Sequence, residues 1–140
     1  MKHTHSAFWD DLAEDLKDPD FLRDYILEAM RIQTVDHLVN SLDEAREAAG
    51  MTKADVARAV RAKDSVIRRL FSESSRNYTV ETLSAVAAAL GMRLTLEPLP
   101  EAERAYITEP LLSGSAADTH ALAQHLTEVR DSDREEPALV

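Results

Sequence analysis

Residues 51–93 read MTKADVARAVRAKDSVIRRLFSESSRNYTVETLSAVAAALGMR. Thr52 is placed to cap a helix, and Asp55 three residues later completes a capping-box-like pair, with Asp in place of the usual Glu. Val56, Ala57 and Val60 form the apolar stripe of that helix. Arg61–Lys63 reads as a tight turn, and a second helix follows from Lys63 or Asp64 with Val66, Ile67, Leu70 and Phe71 inward. Ser72–Tyr78 is a polar loop. Thr79 caps a third helix with Leu83, Val86, Ala87 and Leu90 buried, and Gly91 ends it.

The charge of this stretch sets it apart. Between Thr52 and Tyr78 the basic residues Lys53, Arg58, Arg61, Lys63, Arg68, Arg69 and Arg76 outnumber Asp55, Asp64 and Glu73, a net of +4. The whole chain of 140 residues is −10, so the remainder sums to −14. Positive charge gathered on one segment lets an otherwise acidic protein dock on phosphates and release their counterions.

Working outward, Ser6 is the expected cap of a helix carrying Phe8, Trp9, Leu12 and Leu16 on one face, with residues 1–6 irregular. Asp18 and Pro19 open a second helix bearing Phe21, Leu22, Tyr25, Ile26, Ala29 and Met30. A third is expected from about Val35 to Ala49, on the stripe Leu38, Leu42, Ala45 and Ala49, with Gly50 as its stop. Met92–Leu99 alternates large apolar with other residues and predicts one β-strand, stopped by Pro98 and Pro100. A lone strand needs a partner, which points to another chain. Beyond Pro100 the expectation is a short helix at Glu101–Ile107, a linker holding Pro110 and Gly114, an amphipathic helix over Ala116–Val129, and a tail without structure. The expected domains are 1–34, an N-terminal helical extension; 35–99, the basic unit with its strand; and 100–140, linker, extra C-terminal helix and acidic tail.

Composition bounds the function. Hydrophobic residues are 44% of the chain, and scarce glycine with abundant alanine and leucine favours helices. There is no cysteine, which excludes disulfides and thiolate metal sites. The longest apolar runs fall far short of the roughly 20 residues that span a bilayer. The start, MKHTHSAFWDD, lacks an apolar signal core, so a cytoplasmic location is expected. His3 and His5 have no third ligand beside them, and His120 and His125 point to different helix faces, so no metal is expected. No nucleophile–base pattern and no phosphate-cradling glycine loop occur; neither enzyme activity nor a cofactor is expected.

Three features point to a helix-turn-helix that binds DNA. Val56, Ala57, Val60, Ile67 and Leu70 interlock two short helices at a steep angle, with Ala57 small enough for the crossing. The cap at Thr52 points backbone amides outward, where a phosphate oxygen fits. Asp64, Ser65, Arg68 and Arg69 occupy the outer face of the second helix, which lies in the major groove in this motif. The alternative is a plain helical bundle with a solvated basic face.

The runs Thr52–Val60 and Ser65–Leu70, then Arg76-Asn77, Thr82-Leu83 and Ala89-Leu90-Gly91, resemble the Cro/repressor-type (XRE) helix-turn-helix family. Within it they are most similar to HigA-like antitoxins of bacterial toxin–antitoxin modules, over about Val35–Leu99. The resemblance implies a mainly α fold: a five-helix Cro/repressor-like domain with an N-terminal helical extension and a C-terminal β-strand. It implies that Thr52, Lys53, Arg76 and Asn77 contact phosphates, that Asp64, Ser65 and Arg69 face base edges, and that Arg68 meets a base or a phosphate. The family's turn glycine is Arg61 here, and its serine cap is Lys63; both are expected as phosphate clamps. Arg58 faces away from the groove and is expected to be structural.

The implied function is a homodimeric antitoxin that binds double-stranded operator DNA, represses its own operon and neutralises a cognate, RNA-cleaving toxin. The acidic surroundings suit a basic partner. Dimerisation is expected through Arg93, Leu94, Thr95 and Leu96. Phe8, Trp9, Phe21 and Tyr25 are either a patch for the toxin or the cover of their own core. A stand-alone repressor without a toxin is the competing reading.

Overall fold

The computed structural model describes residues 2–72 and 78–132. Among them are eight helices: α1 (Lys2–Asp15), α2 (Pro19–Ala48), α3 (Lys53–Val60), α4 (Asp64–Ser72), α5 (Val80–Ala89), α6 (Glu101–Tyr106), α7 (Thr108–Ser113) and α8 (Thr119–Asp131). They fall into two compact units: residues 34–97, and residues 1–33 together with 98–140. The sequence reading keeps 1–34 and 100–140 apart, whereas here they build one unit.

The unit of residues 34–97 combines the second half of α2 with α3, α4 and α5, four helical segments rather than five. Its core is Leu42, Val56, Ala57, Ile67, Val86 and Ala87, with Met51, Val60, Phe71, Leu83, Leu90 and Leu94 packed against it. Leu70 is fully buried as well. α3 packs on both α4 and α5. Ala57 is buried in this core, where its side chain is only a methyl group. The C-terminal end of α2 is fixed by Arg46. Its guanidinium donates to the Met51 carbonyl at 2.8 Å and to Asp43 Oδ1 at 2.9 Å, and stacks 5.5 Å from the Phe71 ring centroid.

The other unit places Leu12 and Leu16 of α1, Leu22, Ile26 and Ala29 of α2, Ile107, and Leu122, Ala123 and Leu126 of α8 in one core. Arg23 donates to the carbonyl of Leu111 at 2.9 Å and lies over the αL residue Gly114, which ends α7. His120 and Asp10 join α8 to α1 at 2.9 Å.

Four expectations are corrected. The strand over 92–99 does not form, and no strand occurs among the described residues. Leu94 is drawn onto the core of its unit while Leu96 stands 98% exposed, and no neighbouring strand offers backbone partners. α1 starts at Lys2, so Ser6 lies inside a helix rather than capping one. α2 is continuous over 30 residues, where two helices were expected. Between Pro19 and Gly50 there is neither proline nor glycine to stop it. The linker around Pro110 is partly helical, as α7, and Pro110 is buried within it. The expected tail falls mostly on residues 133–140, outside the described residues.

Candidate nucleic-acid interface

The N-terminus of α3 is built by a complete capping box. Thr52 Oγ1 accepts from the Asp55 amide at 3.0 Å, and the Thr52 amide donates to Asp55 Oδ2 at 2.8 Å. The Thr52 amide, its hydroxyl and then the neighbouring Arg58 guanidinium hold the Asp55 carboxyl below its ordinary value. These bonds leave the amides of Lys53 and Ala54 as the first-turn donors without a helical acceptor. With the positive end of the helix dipole, they suit an anion.

α3 ends at Arg61, which adopts φ 59° and ψ 41°, the left-handed conformation that glycine occupies without cost. Its amide donates back to the Ala57 and Arg58 carbonyls, which reverses the chain. Lys63 then supplies the carbonyl that receives the Val66 and Ile67 amides at the start of α4. Ile67 and Leu70 face inward; Asp64, Ser65, Arg68, Arg69 and Ser72 are exposed.

Arg46, Thr52, Lys53, Ala54, Asp64 and Arg68 line an open concavity of about 500 Å³ between the starts of α3 and α4. The cations of the helix-turn-helix and of the end of α2 differ in availability. Arg46 is committed to Asp43, Met51 and Phe71, and its side chain is only 13% exposed. Arg58 pairs with Asp55, in line with a structural role. Arg69 also interacts within the chain. Lys53, Arg61, Lys63 and Arg68 make no side-chain ion pair among the described residues, so they are the charges free to meet phosphates or bases.

The predicted residues therefore divide. Thr52, Lys53, Arg61, Lys63, Asp64, Ser65, Arg68 and Arg69 lie in or around one turn and its two helices. Arg76 and Asn77 lie outside the described residues. Of the residues expected to pair in a strand, Arg93, Thr95 and Leu96 are exposed and Leu94 packs inward. Of the aromatic set, Trp9 and Tyr25 pack on a core while Phe8 and Phe21 remain exposed. Phe8 meets Trp9 edge-on at 5.1 Å, and Phe21 stacks on Tyr25 at 5.8 Å. The sequence reading missed Arg46, whose only signal was its spacing of three from Asp43 on one helix.

Residues 42–96 match the model of a family described as helix-turn-helix, so this segment is a Cro/C1-type (XRE) helix-turn-helix domain. A domain of this kind points to a DNA-binding transcription regulator. No curated protein and no solved structure matched the chain. No described helix is long and apolar enough to cross a membrane, and no group of three metal-ligating side chains occurs among the described residues.

Proposed function

We propose that the protein is an antitoxin that binds its own operator as a dimer and neutralises a cognate, RNA-cleaving toxin by direct contact. The observation that carries this reading is the division of charge between the two units. Residues 34–97 hold nine basic and nine acidic residues, with Lys53, Arg61, Lys63 and Arg68 on the helix-turn-helix side. Residues 1–33 and 98–140 hold seven basic against seventeen acidic residues, the whole net charge of −10. One unit thus suits a polyanion, and the other suits a basic protein such as a ribonuclease.

In this reading the first-turn amides of α3, with Thr52 and Lys53, hold one phosphate. Arg61 and Lys63 clamp the backbone beside the turn, with Arg76 and Asn77 as further phosphate contacts. α4 enters the major groove, where Asp64, Ser65, Arg68 and Arg69 meet base edges. A second copy binds the other half-site about one DNA turn away, roughly 34 Å. Exposed Arg93, Thr95 and Leu96 are its contact, and exposed Phe8 and Phe21 belong to the toxin surface.

The test is binding of the full chain to a duplex carrying its own promoter, with and without the purified product of the adjoining reading frame. The expected result is a salt-sensitive complex with DNA, a stable complex with that product, and loss of the product's RNase activity on mixing. DNA binding without any bound neighbour favours the second reading, a stand-alone repressor. That reading draws on the family match, which covers the helix-turn-helix and leaves the whole acidic unit outside. Absence of both complexes overturns both readings.

A further inference from the structure

The outward face of α4 carries enough chemistry to name the kind of base sequence it fits. At 100° per residue, buried Ile67 and Leu70 put the midline of the opposite face at Ser65 and Ser72. Arg68 lies on one side of that midline and Arg69 on the other. Both are exposed. Two arginines that straddle a recognition helix reach toward opposite walls of the groove, and hence toward bases on opposite strands. A guanidinium fork pairs bidentately with guanine O6 and N7, the commonest specific contact in the major groove.

Asp64 sits one turn before Arg68 on the same flank, and both line the concavity beside the start of α3. The two opposite charges form no ion pair with each other among the described residues, so each is open to a different partner. A carboxylate only accepts. It is repelled by phosphate and by the acceptor edge of guanine, and it is satisfied by the N4 amine of cytosine. Ser65 and Ser72, at the midline, are short and let the helix approach the base edges closely.

We infer that each half-site carries a guanine on each strand, read by Arg68 and Arg69, with a cytosine beside the guanine that Arg68 contacts, read by Asp64. This rests on the proposal that α4 enters the major groove.

The experiment is selection of binding sites from a randomised duplex library by the full chain, repeated with Arg68→Ala, Arg69→Ala and Asp64→Asn. Circular dichroism confirms that each variant is folded, as expected for exposed positions. Wild type is expected to enrich half-sites with guanines on both strands. Each arginine variant is expected to bind the selected site about 10–100-fold more weakly and to lose the preference at one guanine only. Asp64→Asn is expected to relax the neighbouring cytosine and leave the guanines intact. Enriched half-sites without guanine, or variants that keep the wild-type preference, overturn the inference while DNA binding stands. Failure to bind any duplex at low salt overturns DNA binding itself.

Discussion

Replacing Arg46 by alanine tests how the helix-turn-helix is held in place. The guanidinium links three parts of its unit: Asp43 in α2, the Met51 carbonyl just before α3, and the Phe71 ring of α4. Hydrogen bonds to charged groups contribute about 1.5–3 kcal/mol each when partly buried, and a cation over a ring adds about 0.5–1 kcal/mol. Asp43 is one-third exposed and returns to water on truncation, so its share is discounted. The exposed Glu47 at 3.6 Å is given nothing. Recovered solvation of the guanidinium offsets part of the rest, which leaves a loss of about 2–3 kcal/mol. The assay is native-state hydrogen exchange at the buried amides of Ile67 and Leu70, which reads this unit separately from the other. Exchange should quicken by about 30–150-fold, at 1.4 kcal/mol per decade. Arg46→Lys keeps one donor and the charge but not the fork, so it should fall between the two. Exchange rates in Arg46→Ala within threefold of wild type would refute the assignment.

Arg61→Gly should stabilise residues 34–97 by about 0.5–1 kcal/mol: relief of the left-handed penalty of roughly 1–2 kcal/mol exceeds the entropy glycine regains on unfolding. Urea titration checks this, and the same variant should bind promoter DNA more weakly, since a cation is lost. Gly114→Ala should cost the other unit about 1–3 kcal/mol, because φ is +81° and the new Cβ falls 2.9 Å from the Arg23 guanidinium; thermal melting followed at Trp9 reports it. Asp55 has a lowered folded-state pKa, so the stability it adds to α3 is present above its unfolded value near pH 4 and is lost as pH falls through the folded value. Acid titration of wild type against Asp55→Ala should show the difference between them shrinking below about pH 4 and constant above pH 5.

The elements legible in the sequence were those with local punctuation. Thr52 with Asp55, and Thr79 with its bond to the Thr82 amide, announce α3 and α5 by side-chain chemistry that acts within three residues. The apolar stripes of α3 and α4 each face one core, so the 3.6 period survives in the sequence. α2 defeats that reading because its stripe changes face. Leu22, Ile26 and Ala29 align, but Val39 and Leu42 lie on a face about 140° away at 100° per residue. A shifted stripe looks like two helices although no residue breaks the chain. The segment 92–99 shows the opposite failure. Its alternation is a real strand pattern, yet a strand exists only with a backbone partner, and that information lies outside the segment. Within the interface, residue types were readable, but the commitment of Arg46 and Arg58 to partners within the chain depended on distances.

The insertion of residues 34–97 into the sequence of the other unit has a consequence for synthesis. Residues 34–97 are contiguous, whereas the core around Leu16, Leu22 and Ile26 waits for Leu122 and Leu126 before it can close. On the ribosome the helix-turn-helix can therefore fold while the acidic unit is still missing its last helix. Closing an unstructured loop of 64 residues costs roughly 4 kcal/mol in chain entropy. A folded insert ties its own ends down beforehand and removes much of that cost. Mutations that unfold residues 34–97 should thus also slow assembly of the unit that flanks them in sequence.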